Sequence, residues 1–155
     1  QTIRIHGDLH LAQILHSAKG CAFIDFEGEP ARSPAERRRR RSPLVDVAGV
    51  LRSFSYAAQA SLREVPRDVD ASRAARVQKR WLQLVSQAFL EADERAIASH
   101  DLVPKSRSDR RKLLEAFVLE KALYEVRYEL DHRPDWVSIP LQGVLDIVNA
   151  RARIR

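Results

Sequence analysis

The stretch RIHGDLHLAQ at residues 4–13, together with AFIDFE at residues 22–27, decides how the whole chain is interpreted. In each stretch an apolar run is followed by polar side chains. Asp8 and Gln13 follow the first run, and Asp25 ends the second. The sequence therefore predicts that two carboxylates and a carboxamide lie on short loops at the ends of strands.

Three short strands are predicted in this part of the chain. Residues 2–5 alternate polar and apolar side chains, which is typical of a strand, and residues 13–16 and 21–26 follow with a glycine-containing turn between them. The last two strands form a hairpin whose turn lies away from the polar groups. Because Gln13 starts one strand and Asp25 ends its partner, the hairpin register brings both to the same end.

This set of polar groups suits phosphoryl transfer, in which one carboxylate receives a hydroxyl proton while other oxygen ligands hold magnesium. Asp8 could instead satisfy backbone amides in its own turn, a common role for aspartate. Gln13 could orient Asp8, although a carboxamide oxygen is an acceptable magnesium ligand. Asp25 ends an apolar run, where a charged side chain favours a functional interpretation. Asp46, further along, is expected to favour the start of its helix or else to pair with the catalytic loop.

The remainder of the chain is predicted to be helical. Glycine and two prolines exclude regular structure from residues 28–34, and a short helical turn is expected within 35–41. Apolar residues at helical spacing predict four longer helices, at about residues 43–63, 71–99, 106–131 and 137–152. The predicted fold class is mainly α with a small β-hairpin, in a single domain over 1–155. Its parts are the catalytic and metal loops with the hairpin at 1–30 and a helical subdomain at 43–152.

The composition is that of an ordinary globular protein, with 45% hydrophobic and 31% charged residues among 155. No apolar run approaches the length that spans a membrane. Lysine and arginine number 27 against 21 acidic residues, and the net charge of +6 favours anionic partners such as nucleotides. Five arginines form one run at 37–41. The run is interpreted first as solvated or ion-paired, next as substrate-facing, and least as a nucleic-acid patch, because aromatic residues are not interleaved.

Cys21 is the single cysteine, so an internal disulfide is excluded. This fits a reducing cytoplasm. Cys21 lies in an apolar run and is expected to pack as a small core residue rather than to act as a nucleophile. The expected location of the protein is therefore cytoplasmic, with neither a membrane nor a nucleic acid as partner.

The order His-x-Asp, an amide five residues after the aspartate, and then Asp-Phe-x resembles the catalytic and metal loops of kinases. Here it reads HGD at residues 6–8, Gln13, and DFE at residues 25–27. Glycine after the first histidine and a second histidine at His10 make the loop similar to the aminoglycoside-phosphotransferase branch rather than to protein kinases.

Longer segments narrow the resemblance. Residues 24–58 and 121–145 resemble bacterial maltokinases, which occur alone or fused to trehalose synthase. The resemblance implies the C-terminal lobe of a protein-kinase-like α+β fold. It also implies transfer of the γ-phosphate of ATP to maltose, giving maltose 1-phosphate for α-glucan and glycogen biosynthesis. ATP and Mg2+ are the implied cofactors.

Roles for the loop residues follow from the same resemblance. Asp8 takes the position of the catalytic base, and Gln13 and Asp25 take the positions of magnesium ligands. His6 would support the catalytic loop from behind. His10 would lie beside it, either packed within the loop or as a donor on the phosphate side.

A sugar-binding surface is expected near the end of the chain. Tyr124 and Tyr128 are four residues apart and so share one face of a helix. Their rings suit the apolar face of a sugar, with core packing as the alternative. Arg133 and Trp136 are expected as polar and stacking neighbours. Glu27 has two interpretations, since it could bind a metal or substrate or pair with the arginine run.

Kinases of this kind also need an N-terminal lobe that carries a lysine for the nucleotide phosphates, and this sequence does not contain one. The chain is therefore expected to be a C-terminal lobe that is inactive alone. Its expected partner is a missing N-terminal lobe or a fused trehalose synthase domain. Two alternatives stay open: a kinase for another small acceptor, such as glucosamine or an aminoglycoside, and a non-catalytic regulatory or docking lobe.

Overall fold

The computed structural model describes residues 1–152 and shows a mainly helical chain with a small two-stranded antiparallel sheet. The strands and helices are β1 Ile14–Ser17, β2 Gly20–Phe23, α1 Pro34–Arg37, α2 Leu44–Arg63, α3 Ala71–Ile97, α4 Arg107–His132 and α5 Ser138–Ala152. Two short 3-10 turns lie at Leu11–Gln13 and Pro134–Trp136. Within the described residues, none of the helices is both long enough and apolar enough to cross a membrane.

The predicted hairpin is present, with Ile14 of β1 opposite Phe23 of β2. Gly20 follows the tight turn with φ +119°, a conformation that L side chains rarely adopt. Both strands are shorter than predicted at the end that carries the polar residues. Gln13 lies in a 3-10 turn rather than in β1, yet its carbonyl still accepts a hydrogen bond from the Ile24 amide at 3.1 Å. The pairing therefore continues past the regular strands and up to the polar residues.

Two predictions for this region are wrong. Residues 2–5 do not form a strand of the sheet; Ile3 instead makes one antiparallel bridge with Arg41, with N···O distances of 2.9 Å in both directions. Alternation over four residues is too short a pattern to specify a strand partner. Cys21 is exposed rather than buried, because all four residues of β2 are exposed.

The four long helices begin and end close to their predicted limits, because polar caps and prolines mark their ends. At the start of α4, the Ser106 hydroxyl accepts a hydrogen bond from the Asp109 amide at 3.2 Å. At the start of α3, the Asp70 carboxylate accepts from the Ser72 amide at 2.8 Å, and the hydrogen bonds from Ser72 lower the pKa of Asp70. Pro134 comes two residues after the last residue of α4.

The first of two compact units comprises Gln1–Ser53 and Ile97–Val118. Its buried apolar residues come from the first half of α2 and recur at helical spacing; they are Leu44, Val47, Ala48 and Val50. This buried segment of α2 is the support on which the loops described below rest.

The second unit comprises Phe54–Ala96 and the residues from Leu119 onward. Its buried apolar residues are Phe54, Ala58, Ala122 and Ile139. Phe54 meets the rings of Trp81 and Phe89 edge-on, with centroids 6.2 and 5.8 Å apart. Such edge-to-face pairs are a favoured geometry for aromatic cores.

Candidate active site

The Asp8 loop begins with a sharp turn at Gly7, whose φ of +86° lies in the left-handed region. The Asp8 side chain is 16% exposed, so its carboxylate is held by the loop but reachable from solvent. Nε2 of His10 lies 4.0 Å from Oδ2 of Asp8, and a protonated His10 would form an ion pair there. A carboxylate in this setting can receive a proton from a substrate hydroxyl.

His6 joins the two loops. Its side chain is buried, with Nε2 at 2.7 Å from the Ile24 carbonyl oxygen and Nδ1 at 3.4 Å from the Asp8 amide. Because a carbonyl oxygen only accepts and a backbone amide only donates, the two contacts fit the tautomer that carries its proton on Nε2. The ring also packs against Phe26, with centroids 4.8 Å apart. His6 thereby ties the Asp8 loop to the segment that flanks Asp25.

Gln13 and Asp25 meet at the open end of the hairpin, where their positions in the sequence predicted them. Nε2 of Gln13 donates a hydrogen bond to Oδ2 of Asp25 at 2.9 Å. Asp25 has φ +64°, a left-handed conformation that is uncommon for a residue with a side chain. Backbone conformations of this kind are concentrated at functional sites, where the surrounding structure holds them in place.

The oxygen donors of this pair fit magnesium better than a softer metal. Among residues 1–152, no three His, Cys, Asp or Glu side chains are arranged to hold a metal ion. Magnesium does not need such a cage, because it usually takes one or two carboxylates and completes its shell with water and phosphate oxygens. The exposed carboxylate of Asp25 beside the carboxamide of Gln13 suits that kind of site.

Asp46 holds the Asp8 loop from the first turn of α2. Its Oδ2 accepts from the His6 amide at 2.8 Å, and its Oδ1 accepts from the Gly7 amide at 2.9 Å. Hydrogen bonds to a carboxylate are roughly twice as strong as those between neutral groups. Asp46 thus lies in the first turn of its helix, as expected, and also pairs with the loop.

Glu27 lies beside the arginine run. Nη1 of Arg37 is 3.6 Å from Oε2 of Glu27 and 3.5 Å from its carbonyl oxygen. Because 69% of the Glu27 side chain is exposed, this ion pair is weak. At the other end of the run, the Arg41 guanidinium lies 5.8 Å from the centre of the Phe117 ring. Two arginines of the run thus have partners within the first unit.

Tyr124 and Tyr128 adjoin on α4, with ring centroids 6.4 Å apart. Tyr128 is 40% exposed and stacks on His132 at 4.3 Å between centroids. Nζ of Lys121 lies 4.7 Å from the centre of the Tyr124 ring. The exposure of Tyr128 excludes core packing for that ring, while binding of a sugar stays a prediction.

A hydrogen-bonded network, here called the Glu129 network, ties Arg133 and Trp136 into the second unit. Glu129 is 1% exposed, and its carboxylate accepts from the Tyr56 hydroxyl at 2.8 Å and from two Arg133 nitrogens at 2.6 and 3.0 Å. The Trp136 ring lies parallel to that of Tyr56, with centroids 6.3 Å apart. The guanidiniums of Arg63 and Arg133 lie 4.8 and 5.2 Å from the centre of the Trp136 ring.

The Glu129 network shifts two pKa values. Burial is the largest cause that raises the pKa of Tyr56, and the hydrogen bond to Glu129 raises it further. The pKa of Arg133 is raised chiefly by its hydrogen bonds to Glu129, which outweigh partial desolvation. Tyr56 therefore stays protonated and Arg133 stays charged across the physiological range.

The residues predicted from the sequence fall into two sets. The first unit contains His6, Asp8, His10, Gln13, Asp25 and Glu27, and the second contains Tyr124, Tyr128, Arg133 and Trp136. Sequence reasoning missed Tyr56 and Glu129. The spacing of four residues between Glu129 and Arg133, at the end of α4, was the signal available for that pair, whereas Tyr56 carries no local signal.

No protein-family model matches the chain. Curated proteins do match it, and the two described here are both named glucosamine kinase. The one from Streptacidiphilus jiangxiensis is 30% identical over 152 residues, which cover 97% of this chain and 33% of the relative. The one from Mycolicibacterium smegmatis is 28% identical over 149 residues, with 91% and 34% covered. The chain thus spans about a third of the length of the curated relatives that it matches.

Solved structures of glucosamine kinase also match the chain. A glucosamine kinase in complex with glucosamine, ADP and inorganic phosphate superposes with a TM-score of 0.82 at 27% identity, over 98% of this chain and 36% of that chain. Another crystal form of glucosamine kinase gives a TM-score of 0.80 at 26% identity, over 96% and 35% of the two chains. The chain has a kinase-type α+β fold.

The maltokinase assignment is wrong, because the relatives and solved structures described above are glucosamine kinases. The expectations of maltose, of glycogen biosynthesis and of a fused trehalose synthase rested on that resemblance and lose their support. The reason is chemical. The predicted set of Asp8, Gln13 and Asp25 is common to phosphotransferases with different acceptors, and the longer segments at residues 24–58 and 121–145 did not separate one sugar from another.

Proposed function

We propose that this chain supplies the catalytic and metal-binding loops of an ATP-dependent sugar kinase whose acceptor is glucosamine. The observation that carries the proposal is the contact between Gln13 and Asp25 at the end of the hairpin, with the Asp8 loop tied to the same segment by His6. Glucosamine, one of the acceptors that the sequence left open, is supported by the names of the matched relatives. The net charge of +6 is consistent with an anionic nucleotide as partner.

In the proposed reaction Asp8 accepts the proton of the sugar hydroxyl as the oxygen attacks the γ-phosphorus of ATP. The bond to the β–γ bridging oxygen breaks, and ADP leaves with that oxygen. Phosphoryl transfer depends mainly on positioning and on electrostatic stabilisation. Two contacts position Asp8 here: the His6 ring accepts from the Asp8 amide, and the Asp46 carboxylate accepts from the His6 amide on the same loop.

Magnesium, bound with the nucleotide, would neutralise charge on the phosphate oxygens. Asp25 and Gln13 would hold it. The amide of Gln13 already contacts the Asp25 carboxylate, so the two side chains are close enough to share one ion. ATP and magnesium are therefore the proposed cofactors.

The proposed place of the chain in such an enzyme is its C-terminal lobe, of the aminoglycoside-phosphotransferase-like type. Two observations support this. The described residues are mainly helical with one small hairpin, and the chain spans about a third of its relatives. A nucleotide-binding lobe would be the partner of this chain in catalysis.

Tyr124 and Tyr128 stay the proposed platform for the sugar, because Tyr128 is 40% exposed even with its ring stacked on His132. Arg133 and Trp136 already bond and stack within the Glu129 network, which suits them to shaping that platform. Glu27, with its exposed carboxylate, is a further candidate for an amine or hydroxyl.

The test is an acceptor panel with the full-length protein, ATP and magnesium. Glucosamine should be phosphorylated with a kcat/KM about tenfold or more above that of glucose or maltose, because a site built for an amine leaves its charge unpaired when the acceptor has only hydroxyls. Chelation of magnesium should abolish the reaction with every acceptor. Preference for maltose or an aminoglycoside, or turnover that survives chelation, would contradict the proposal.

A further inference from the structure

We infer that one face of α2 is a three-point mount that fixes the Asp8 loop on both sides of Asp8, through Asp46, Gly49 and Ser53. The contacts stand on geometry alone, and only their effect on turnover rests on the proposed function. The three residues are spaced i, i+3 and i+7, so they fall on one face of the helix. Two of them contact the loop by hydrogen bonds and one by close approach.

The first point lies before Asp8. The Asp46 carboxylate takes the amides of His6 and Gly7 at 2.8 and 2.9 Å, one with each oxygen. Two hydrogen bonds to one carboxylate fix both the position and the orientation of that peptide segment.

The second point lies just after Asp8. A Cβ atom placed on Gly49 would collide with the carbonyl oxygen of Leu9, so the loop backbone rests directly against the helix backbone. Glycine is disfavoured inside helices, at a cost of about 1 kcal/mol relative to alanine. Close approach of another backbone is the reason that this position of α2 has no side chain.

The third point is Ser53. Its hydroxyl donates to the Val50 carbonyl at 2.8 Å, and its oxygen accepts from the Leu11 amide at 3.3 Å. A hydroxyl has a single proton, so donation within the helix leaves its lone pairs free to receive the loop amide. The contacts at residues 6, 7, 9 and 11 therefore bracket Asp8 without using its carboxylate.

The mount is as rigid as the helix that carries it. Three neighbours of the mount residues along α2 are almost fully buried: Leu44, Ala48 and Val50 are 1%, 1% and 2% exposed. A packed core does not deform continuously, so a change at one mounting point moves the loop rather than the helix. Displacement of a reacting group by about 1 Å can reduce turnover about a hundredfold.

Gly49→Ala is the sharpest variant, because it adds one methyl group and improves helix propensity. In the full-length protein we expect kcat to fall about tenfold to a hundredfold with the KM for ATP nearly unchanged. Amide hydrogen exchange at residues 6–11 should become at least about tenfold faster while exchange elsewhere in α2 does not. The exchange result is independent of catalysis, so it distinguishes failure of the mount from failure of the proposed kinase activity.

Ser53→Ala tests the same mount if the added methyl group prevents folding. Ser61→Ala is the matched control, since the Ser61 hydroxyl bonds the Ala58 carbonyl at 2.8 Å in the same way but lies outside the mount. Ser53→Ala should speed exchange at Leu11, Ser61→Ala should not, and Ser53→Thr should restore protection. Unchanged exchange at residues 6–11 in both Gly49→Ala and Ser53→Ala, or an equal effect of Ser61→Ala, would overturn the inference.

Discussion

Asp25 in the first unit and Glu129 in the second both carry carboxylates that accept hydrogen bonds from neighbouring side chains. Asp25 is exposed, has a left-handed backbone and accepts from the amide of Gln13. Glu129 is 1% exposed, lies within a regular helix and accepts from Tyr56 and twice from Arg133. The oxygens of Asp25 can still accept a ligand, whereas the oxygens of Glu129 already accept hydrogen bonds from Tyr56 and Arg133.

The difference teaches how to separate chemistry from stability in this chain. A buried carboxylate with a full set of donors contributes to the fold, and removal of its charge leaves its partners unsatisfied. An exposed carboxylate in a strained backbone contributes little to the fold, and its conformation needs another explanation. We therefore expect variants of the first region to lower turnover with little effect on unfolding. Variants of the second region should make unfolding easier with little effect on turnover.

The largest effect is expected from Asp8→Asn in the full-length protein. A carboxamide cannot accept the hydroxyl proton, so kcat should fall by about two to four orders of magnitude. The free energy of unfolding, measured with urea, should change by less than about 1 kcal/mol, since asparagine keeps the size and shape of the aspartate side chain. Turnover at the level of the unsubstituted protein would refute the assignment of Asp8 as base.

The next largest effect is expected from Glu129→Gln. The variant keeps the volume but loses the charge that Arg133 and Tyr56 bond, so unfolding should become easier by about 2–3 kcal/mol. Asp131→Asn is the control on the same helix; its 3.8 Å contact with Arg127 is exposed, and its loss should cost less than about 1 kcal/mol. Equal destabilisation by the two variants would remove the contrast between buried and exposed carboxylates.

A smaller effect separates strain from ligand binding at Asp25. Asp25→Gly and Asp25→Ala both remove the carboxylate, but only alanine must keep a left-handed conformation at φ +64°. Asp25→Gly should therefore be more stable than Asp25→Ala by about 1–2 kcal/mol in urea unfolding. Both should lose turnover. Equal stabilities would show that residue 25 is not held in a left-handed conformation.

The smallest effect concerns Tyr56 and alkaline pH. Because the pKa of Tyr56 is raised on folding, the folded protein keeps a proton that the unfolded chain loses near its usual value of 10. This contribution to stability is present below pH 10 and declines as the pH rises above it. Tyr56→Phe should cost about 1 kcal/mol at pH 8.

The same variant should lose stability less steeply than the parent protein between pH 9 and 11, when urea unfolding curves are compared at each pH. Subtraction of the two curves removes the lysine and arginine titrations that both proteins share. A parallel decline in the two proteins would show that the Tyr56 hydroxyl is not held in its protonated form by the fold.

The elements that local chemistry specifies were predictable from the sequence. The ends of α3 and α4 follow from Asp70, Ser106 and Pro134, each of which acts within a few residues of its own position. The contact between Gln13 and Asp25 was also predictable. The turn of the hairpin sets its register, and the register places these two residues at the same end of the strands.

What could not be predicted depends on contacts between distant parts of the chain. Two examples are the bridge between Ile3 and Arg41 and the hydrogen bond between Tyr56 and Glu129. Each joins residues that are far apart in sequence, and no local pattern predicts either contact. The identity of the sugar acceptor could not be predicted from the sequence for a related reason. The motif at Asp8 is shared by kinases with different acceptors, and the longer segments at residues 24–58 and 121–145 resemble more than one of these families.

The contrast between the two carboxylates is tested most directly by binding of Mn2+, a paramagnetic substitute for magnesium, to the full-length protein in the presence of ADP. Electron paramagnetic resonance of the free ion measures the affinity in three proteins: the parent, Asp25→Asn and Glu129→Gln. We predict that Asp25→Asn weakens Mn2+ binding by about tenfold or more, whereas Glu129→Gln leaves it nearly unchanged under conditions where it is folded. Unaltered binding in Asp25→Asn, or a larger loss in Glu129→Gln, would contradict the metal site at Asp25.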